Sequence, residues 1–168
     1  MRTLLLRAAQ AADNTNRHLA HAIRWLALAM VLITLAVVLM RYLFNIGAIP
    51  LQESVMYLHG VLFMLGIPYG LSQDTHVRVD LLYSRMSEAQ QRYIDIAGHL
   101  LFLIPVALFI LITSLPYVAA SWRVLEGSAE VGGIPGVFLL KTLIPVMAVL
   151  LLVQGMSEIL RKLLTPRD

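Results

Sequence analysis

Four long apolar runs constrain this chain more than any other feature. They lie at about residues 24–44, 53–72, 92–121 and 136–160. Crossing ~30 Å of hydrocarbon takes about 20 residues of helix. Each run meets that length, and the first holds an uninterrupted core from Trp25 to Met40. In lipid, every backbone N–H and C=O must be bonded within a helix or a closed barrel. The runs are continuous and lack a period of two, so they read as helices. The predicted fold class is all-α integral membrane: four transmembrane helices forming a single membrane domain over residues 1–168.

Composition agrees. Of the 168 residues, 59% are hydrophobic and 14% charged, and the mean hydropathy is +0.78. A soluble domain carries roughly a quarter charged residues. Cysteine is absent, which excludes a disulfide framework, a thiolate nucleophile and a Cys metal site. A net charge of +3 gives no reason to expect nucleic acid as a partner. The first run begins too far into the chain, and its core is too long, for a signal peptide.

The basic residues set a direction. Arg2, Arg7, Arg17 and Arg24 precede the first span; Arg78, Arg85 and Arg92 lie between the second and third; Arg161, Lys162 and Arg167 follow the fourth. The opposite connections hold only Arg41 and Arg123. Positive loops stay in the cytoplasm, so both termini are expected inside. Trp25, Tyr69, Tyr83 and Tyr93 then fall near the inner boundary, and Tyr42, Tyr57, Tyr117 and Trp122 near the outer one. Amphipathic rings prefer both depths.

Local signals refine the spans. Arg2 to Ala12 has the pattern of a short amphipathic helix on the inner surface. Asp13-Asn14-Thr15-Asn16 follows it as a break and fresh N-cap. Ser87 with Gln90 reads as a capping box at the start of the third helix, and Glu88 and Asp95 sit in its first turns. The third run is about 45 Å long if straight, and Pro105 and Pro116 should bend it.

Ionisable groups in or near a membrane are functional candidates. Lys141 lies early in the fourth span. It either snorkels to the outer headgroups or pairs with Glu53, Glu126, Glu130 or a partner subunit. Glu53, after Pro50, is placed to complement the second helix's N-terminus. Glu158 precedes Arg161 and Lys162 by about one turn, as an i,i+3/i+4 pair does. His76, Arg78 and Asp80 alternate with Val77 and Val79 in the inner connection. They read either as polar side chains facing headgroups or as a short hooked segment that touches a partner. The outer stretch Glu126 to Pro135 is acidic and Gly-rich, a plain turn or a docking surface.

His59 and His99 raise the alternative of a haem-bearing membrane anchor of an oxidoreductase. Depth argues against it. His59 stands about 20 Å from the inner edge and His99 about 10 Å, whereas axial ligands of one iron share a height. An interhelical hydrogen bond is the default for each histidine. Small residues Gly60, Gly66 and Gly70 suit close helix packing. No phosphate loop, zinc-protease motif or Ser/His/Asp arrangement occurs, so no enzyme activity and no cofactor are expected. A stand-alone small carrier is a further alternative.

Several stretches together resemble one family. They are "RYLFN" (Arg41 to Asn45), "LQESVMYLHGVLFMLG" (Leu51 to Gly66), "HVRVDLLYSRMS" (His76 to Ser87), "LLFLIPV" (Leu100 to Val106), "SWRVLEGSAEVGGIP" (Ser121 to Pro135), "KTLIPV" (Lys141 to Val146) and "LLLVQG" (Leu150 to Gly155). The chain resembles the small permease, or Q, subunit of tripartite ATP-independent periplasmic (TRAP) transporters. The His-x-Arg-x-Asp element is the most specific piece. One departure is "IPLQE", where many relatives carry a Trp shortly before the Gln-Glu pair.

The resemblance implies a scaffold in the bacterial inner membrane. Its partners would be a large permease holding the substrate and sodium sites, a periplasmic solute-binding protein, and membrane lipid. The implied role is support of sodium-coupled uptake of an organic acid or similar solute. Arg41, Glu53, His76, Arg78, Asp80, Glu126 and Lys141 are the candidate interface or structural residues. His76, Arg78 and Asp80 are expected to fix the inner end of the second span and its contact with the large subunit.

Overall fold

The computed structural model describes residues 2–73, 83–84 and 86–164. Among them the chain is helical, in four long rods. Helix α1 is Arg2–Phe44, α2 Ile49–Ser72, α3 Glu88–Arg123 and α4 Val137–Leu164. All four contain stretches long and apolar enough to cross a membrane. His76, Arg78 and Asp80 lie outside the described residues.

The start of α1 differs from the sequence expectation. No break occurs at Asp13–Asn16, and α1 runs unbroken through it. Asp13 and Asn16 are one turn apart, so they share a face. That face meets α4, and their side chains bond across to it instead of capping a new helix. At the far end, Asn45 takes a left-handed φ of 53° and turns the chain, so that the Ile46 N–H reaches the Met40 carbonyl at 3.1 Å. Pro50 sits in the first turn of α2, where its missing N–H costs nothing.

The start of α3 follows its sequence signal. The Ser87 Oγ accepts the Gln90 N–H at 3.4 Å, and the Gln90 Oε1 accepts the Ser87 N–H at 3.0 Å. Before Pro105 the helix widens into a π turn over His99–Leu103, where the Ile104 N–H bonds back to the His99 carbonyl. Proline donates no N–H, so the preceding turn loses a bond and loosens. The expected distortion at Pro105 is thus a π turn. Pro116 lies inside the following helical stretch.

Helices α1, α2 and α4 pack on one another pairwise, and α3 packs along α4. The buried set is small. On α3, Ala107, Ser114, Val118 and Ser121 form a seam of mostly small side chains; Met147, Ala148, Gln154 and Ser157 are buried on α4. Lipid tails are as apolar as leucine, so helices associate in them through close packing and hydrogen bonds. Small side chains permit that approach. A Cβ at Gly155 would overlap Leu103 of the π turn, and one at Gly60 would stand 2.7 Å from Leu140.

The outward surface is strongly apolar. Trp25, Leu28, Val31, Leu35 and Leu43 are exposed on α1, and Leu101, Phe102, Phe109 and Ile112 on α3. Surfaces of this kind suit lipid or another membrane protein, not water.

Candidate functional site

Polar side chains gather at the two ends of α4. One end holds its first turns and the 124–136 loop, here called the loop end. The other joins the start of α1, the start of α3 and the last turns of α4, here called the terminal end.

The loop begins with a helix stop that places Glu126. Leu125 takes a left-handed φ of 46°. Its N–H bonds to the Trp122 carbonyl at 3.2 Å, and the Glu126 N–H bonds to the Ser121 carbonyl at 3.1 Å. That pair of bonds is a Schellman stop, usually built on glycine. A left-handed leucine costs roughly 1–2 kcal/mol. The stop delivers Glu126 to α4 twice. Its carbonyl accepts the Phe138 N–H at 3.3 Å, one of the orphan donors of the first turn. Its carboxylate accepts from the Lys141 Nζ at 2.5 Å.

Lys141 lies also 4.2 Å above the centre of the Tyr117 ring, a cation–π contact. The ammonium holds the Glu126 carboxyl below its ordinary range. Of the sequence alternatives for Lys141, the structure shows pairing with Glu126. Beside it, the Trp122 Nε1 donates to the Thr142 Oγ1 at 2.9 Å, and the Trp122 ring meets Phe138 edge-on at 4.7 Å.

Glu53 has a different role from the one expected. Helix α2 begins at Ile49, so Glu53 lies beyond its first turn. Its carboxylate instead binds the loop. It accepts from the Ser128 Oγ and, at 2.6 Å, from the Ile134 N–H. Tyr57, one turn further, donates to the Ile134 carbonyl at 3.4 Å. The loop closes around this anchor: the Ser128 N–H bonds to the Ile134 carbonyl and the Gly133 N–H to the Glu130 carbonyl. Gly133 is required there, because a Cβ would stand 2.5 Å from the Ser128 Oγ and 2.7 Å from the Glu53 Oε1. Gly132 supplies a φ of 80° that other residues rarely adopt. Arg41 is exposed in the last turn of α1, where a cation complements the helix C-terminus.

The terminal end holds a network that sequence reasoning missed. The Asn16 Nδ2 donates to the Gln154 Oε1 at 2.7 Å, and the Gln154 Nε2 donates to the Asp13 Oδ1 at 2.8 Å. The Ser157 Oγ donates to the Ala9 carbonyl at 3.2 Å and reaches the Asp13 Oδ1 at 3.4 Å. Arg161 pairs with Asp13. Gln154, Asn16 and Ser157 are at most 2% exposed. The available signal was two polar pairs at i,i+3, Asp13/Asn16 and Gln154/Ser157, set on helices whose ends meet.

On the other flank, Lys162 pairs with Asp95 at 2.5 Å, Tyr83 donates to Asp95 at 2.8 Å, and the Arg92 Nη2 donates to the Leu163 carbonyl at 3.1 Å. Arg161 and Lys162 thus reach other helices, while Glu158 accepts from Gln154 at 3.3 Å.

The two spanning histidines do not behave alike. The His99 Nδ1 lies 2.6 Å from the Asp95 carbonyl of its own helix, and its ring faces Gly155 of α4. His59 is exposed on α2 and stacks on Phe63. The expectation of an interhelical hydrogen bond is met by neither histidine among the described residues: His99 bonds within its own helix and its buried Nε2 has no partner, and His59 is exposed. Among the described residues, no cluster of three or more His, Cys, Asp or Glu is arranged to hold a metal ion. The arrangement is one of clamps that join helices.

No curated protein and no solved structure matches the chain. A family model does, over residues 30–165, described as the DctQ component of tripartite ATP-independent periplasmic transporters. The match takes in three of the four spans whole and most of the first, along with the loop that Glu53 anchors. That family is one of transporter components, and interhelical clamps at both ends of α4 fit a membrane-embedded subunit. By this match the chain belongs to the DctQ component family, the small membrane subunits of TRAP transporters.

Proposed function

We propose that this chain is the scaffold partner of the large permease in a sodium-coupled TRAP system for an organic acid or similar solute. It sits in the inner membrane with both termini in the cytoplasm. The loop end then faces the periplasm and offers part of the docking surface for the solute-binding protein. The observation that carries this reading is the pairing of a thin interior with stiff ends. Few side chains are buried, the outer faces of α1 and α3 are apolar, and the polar groups of the loop end are spent on holding the loop to α2 and α4. A brace has that construction, and the selective sites then belong to other chains.

The Arg/Lys asymmetry supports the orientation. It puts the Glu126–Pro135 loop outside, where an ordered acidic rim meets a soluble partner. Arg41 would flank that rim. His76, Arg78 and Asp80 are assigned to the inner contact with the large subunit, on their sequence pattern.

Reconstitution tests the proposal. Liposomes holding this chain alone should take up no solute under a sodium gradient. Liposomes holding it with the large permease and supplied with the binding protein should do so. Uptake by the chain alone, or failure to co-purify with the large permease, would refute the scaffold role.

A further inference from the structure

The exposed stripe of α2 carries Gln52, Met56, His59 and Phe63, spaced as one helical face. Met56 and Phe63 are more than half exposed. Below His59 the stripe opens into a shallow hollow lined by His59, Leu62, Phe63, Gly66 and Ile67. We propose that this stripe receives a transmembrane helix of the large permease, which hydrogen-bonds His59 through a polar side chain at mid-membrane depth. The proposal rests on the scaffold reading above and adds the face and the anchoring residue.

Depth is the first reason. In α2, His59 is ten residues from Ile49 and thirteen from Ser72, about 15 Å and about 20 Å along the axis. An imidazole is too short to reach either headgroup layer from there. A neutral imidazole carries one donor and one acceptor, and burying them unpaired in hydrocarbon is costly. Among the described residues His59 has only its ring contact with Phe63, centroids 6.2 Å apart.

The other outward faces make the contrast. Thr34 of α1 donates to the Met30 carbonyl and Thr113 of α3 to the Phe109 carbonyl, each at 2.7 Å. Those hydroxyls are satisfied within their own helices, so their surroundings suit plain lipid. His59 demands a partner from outside the chain.

Shape is the second reason. Every residue lining the hollow belongs to α2, so it has no walls to enclose a small ligand. Gly66 leaves room where a Cβ would find nothing nearer than the Ile23 Cδ1 at 3.9 Å. A hollow with a small residue beside a hydrogen-bonding one is what a second helix packs into.

The test uses the full chain co-expressed with the large permease. The chain has no cysteine, so single cysteines can be placed at Met56 on the stripe and at Phe109 as a control. With a maleimide–benzophenone attached to the thiol, Met56→Cys should photo-cross-link to a spanning helix of the large permease, next to a polar side chain, and Phe109→Cys should not. His59→Leu should lower the recovered complex about 3- to 20-fold, the range expected from one interhelical hydrogen bond. His59→Gln should restore most of it. Unchanged circular dichroism of the variant chain alone separates this from misfolding.

Cross-linking to a second copy of this chain, or none while the complex persists, overturns the inference and leaves the scaffold role standing. Absence of any complex with the unaltered chain overturns both.

Discussion

Replacing Gln154 by Leu tests the buried network that joins α1 to α4. The Gln154 side chain is fully buried, and Asn16 is 1% exposed. Leucine fills nearly the same volume, so a cavity is a minor term. The cost comes from the Asn16 amide, whose Nδ2 loses its acceptor at 2.7 Å. A stranded buried donor costs about 1–3 kcal/mol. Asp13 suffers less, because Ser157 and Arg161 still reach it.

The reverse change, Asn16→Leu, strands the Gln154 Oε1 and should cost a similar amount. Making both changes removes donor and acceptor together, which is close to neutral for well-filled sites. The double variant should therefore be nearly as stable as the parent, so the coupling offsets the two single costs and comes to about 2–6 kcal/mol in size. Reversible unfolding in mixed micelles, followed by circular dichroism, measures all four corners of the cycle. If the single costs simply add, to roughly 2–6 kcal/mol in the double variant, the two amides are not each other's partners and the network does not hold α1.

Other consequences are tested at the loop end and at the termini. The Glu126 carboxyl is held below its ordinary range by Lys141; its contribution is complete above the unfolded value near ~4.3 and lost as pH falls through the lower folded value. Protection of the 124–136 amides, corrected for the intrinsic exchange rate, should fall over that acidic window, and Glu126→Gln should reduce the fall, leaving the part that Glu53 carries. Gly133→Ala should displace Ser128 or Glu53, loosen the loop by about 1–3 kcal/mol and raise its exchange while leaving helix content unchanged. Reporter fusions at the N- and C-termini should both signal a cytoplasmic location; a periplasmic signal from either refutes the orientation.

The four spans were legible because lipid demands long apolar helices, and no local detail competes with that requirement. The start of α3 was legible because Ser87 and Gln90 satisfy each other within four residues. The continuity of α1 was not. Asp13-Asn14-Thr15-Asn16 has the composition of a cap, and only the arrival of α4 turns Asp13 and Asn16 into interhelical donors and acceptors. Glu53 was misread for a similar reason. Its partner, the Ile134 N–H, is 81 residues away, so a rule based on its own helix end could not find it. Lys141 and Glu126 were both marked, but the choice among three carboxylates needed the Schellman stop at Leu125 to bring one of them close. The π turn before Pro105 is a local answer to a missing N–H, yet its position against Gly155 is set by packing.

The placement of these clamps bears on what the subunit does. Helix α3 is joined to α4 at both ends: Trp122–Thr142 and Glu126–Lys141 at one, Asp95–Lys162 and Arg92–Leu163 at the other. Among the described residues the polar links of α1 to α4 lie at the terminal end, through Asp13 and Asn16; Glu53 and Tyr57 of α2 hold the loop that leads into α4 at the loop end. Between the clamps, the described interior is small or apolar, with Ala107, Val118, Met147 and Ala148 at its centre. Among the described residues that seam holds the hydroxyls of Ser114 and Ser121 and no buried charged side chain, an interior suited to close helix packing. At mid-span His59 is exposed on the outer face of α2, so its own hydrogen-bonding demand falls on whatever lies beside it in the membrane.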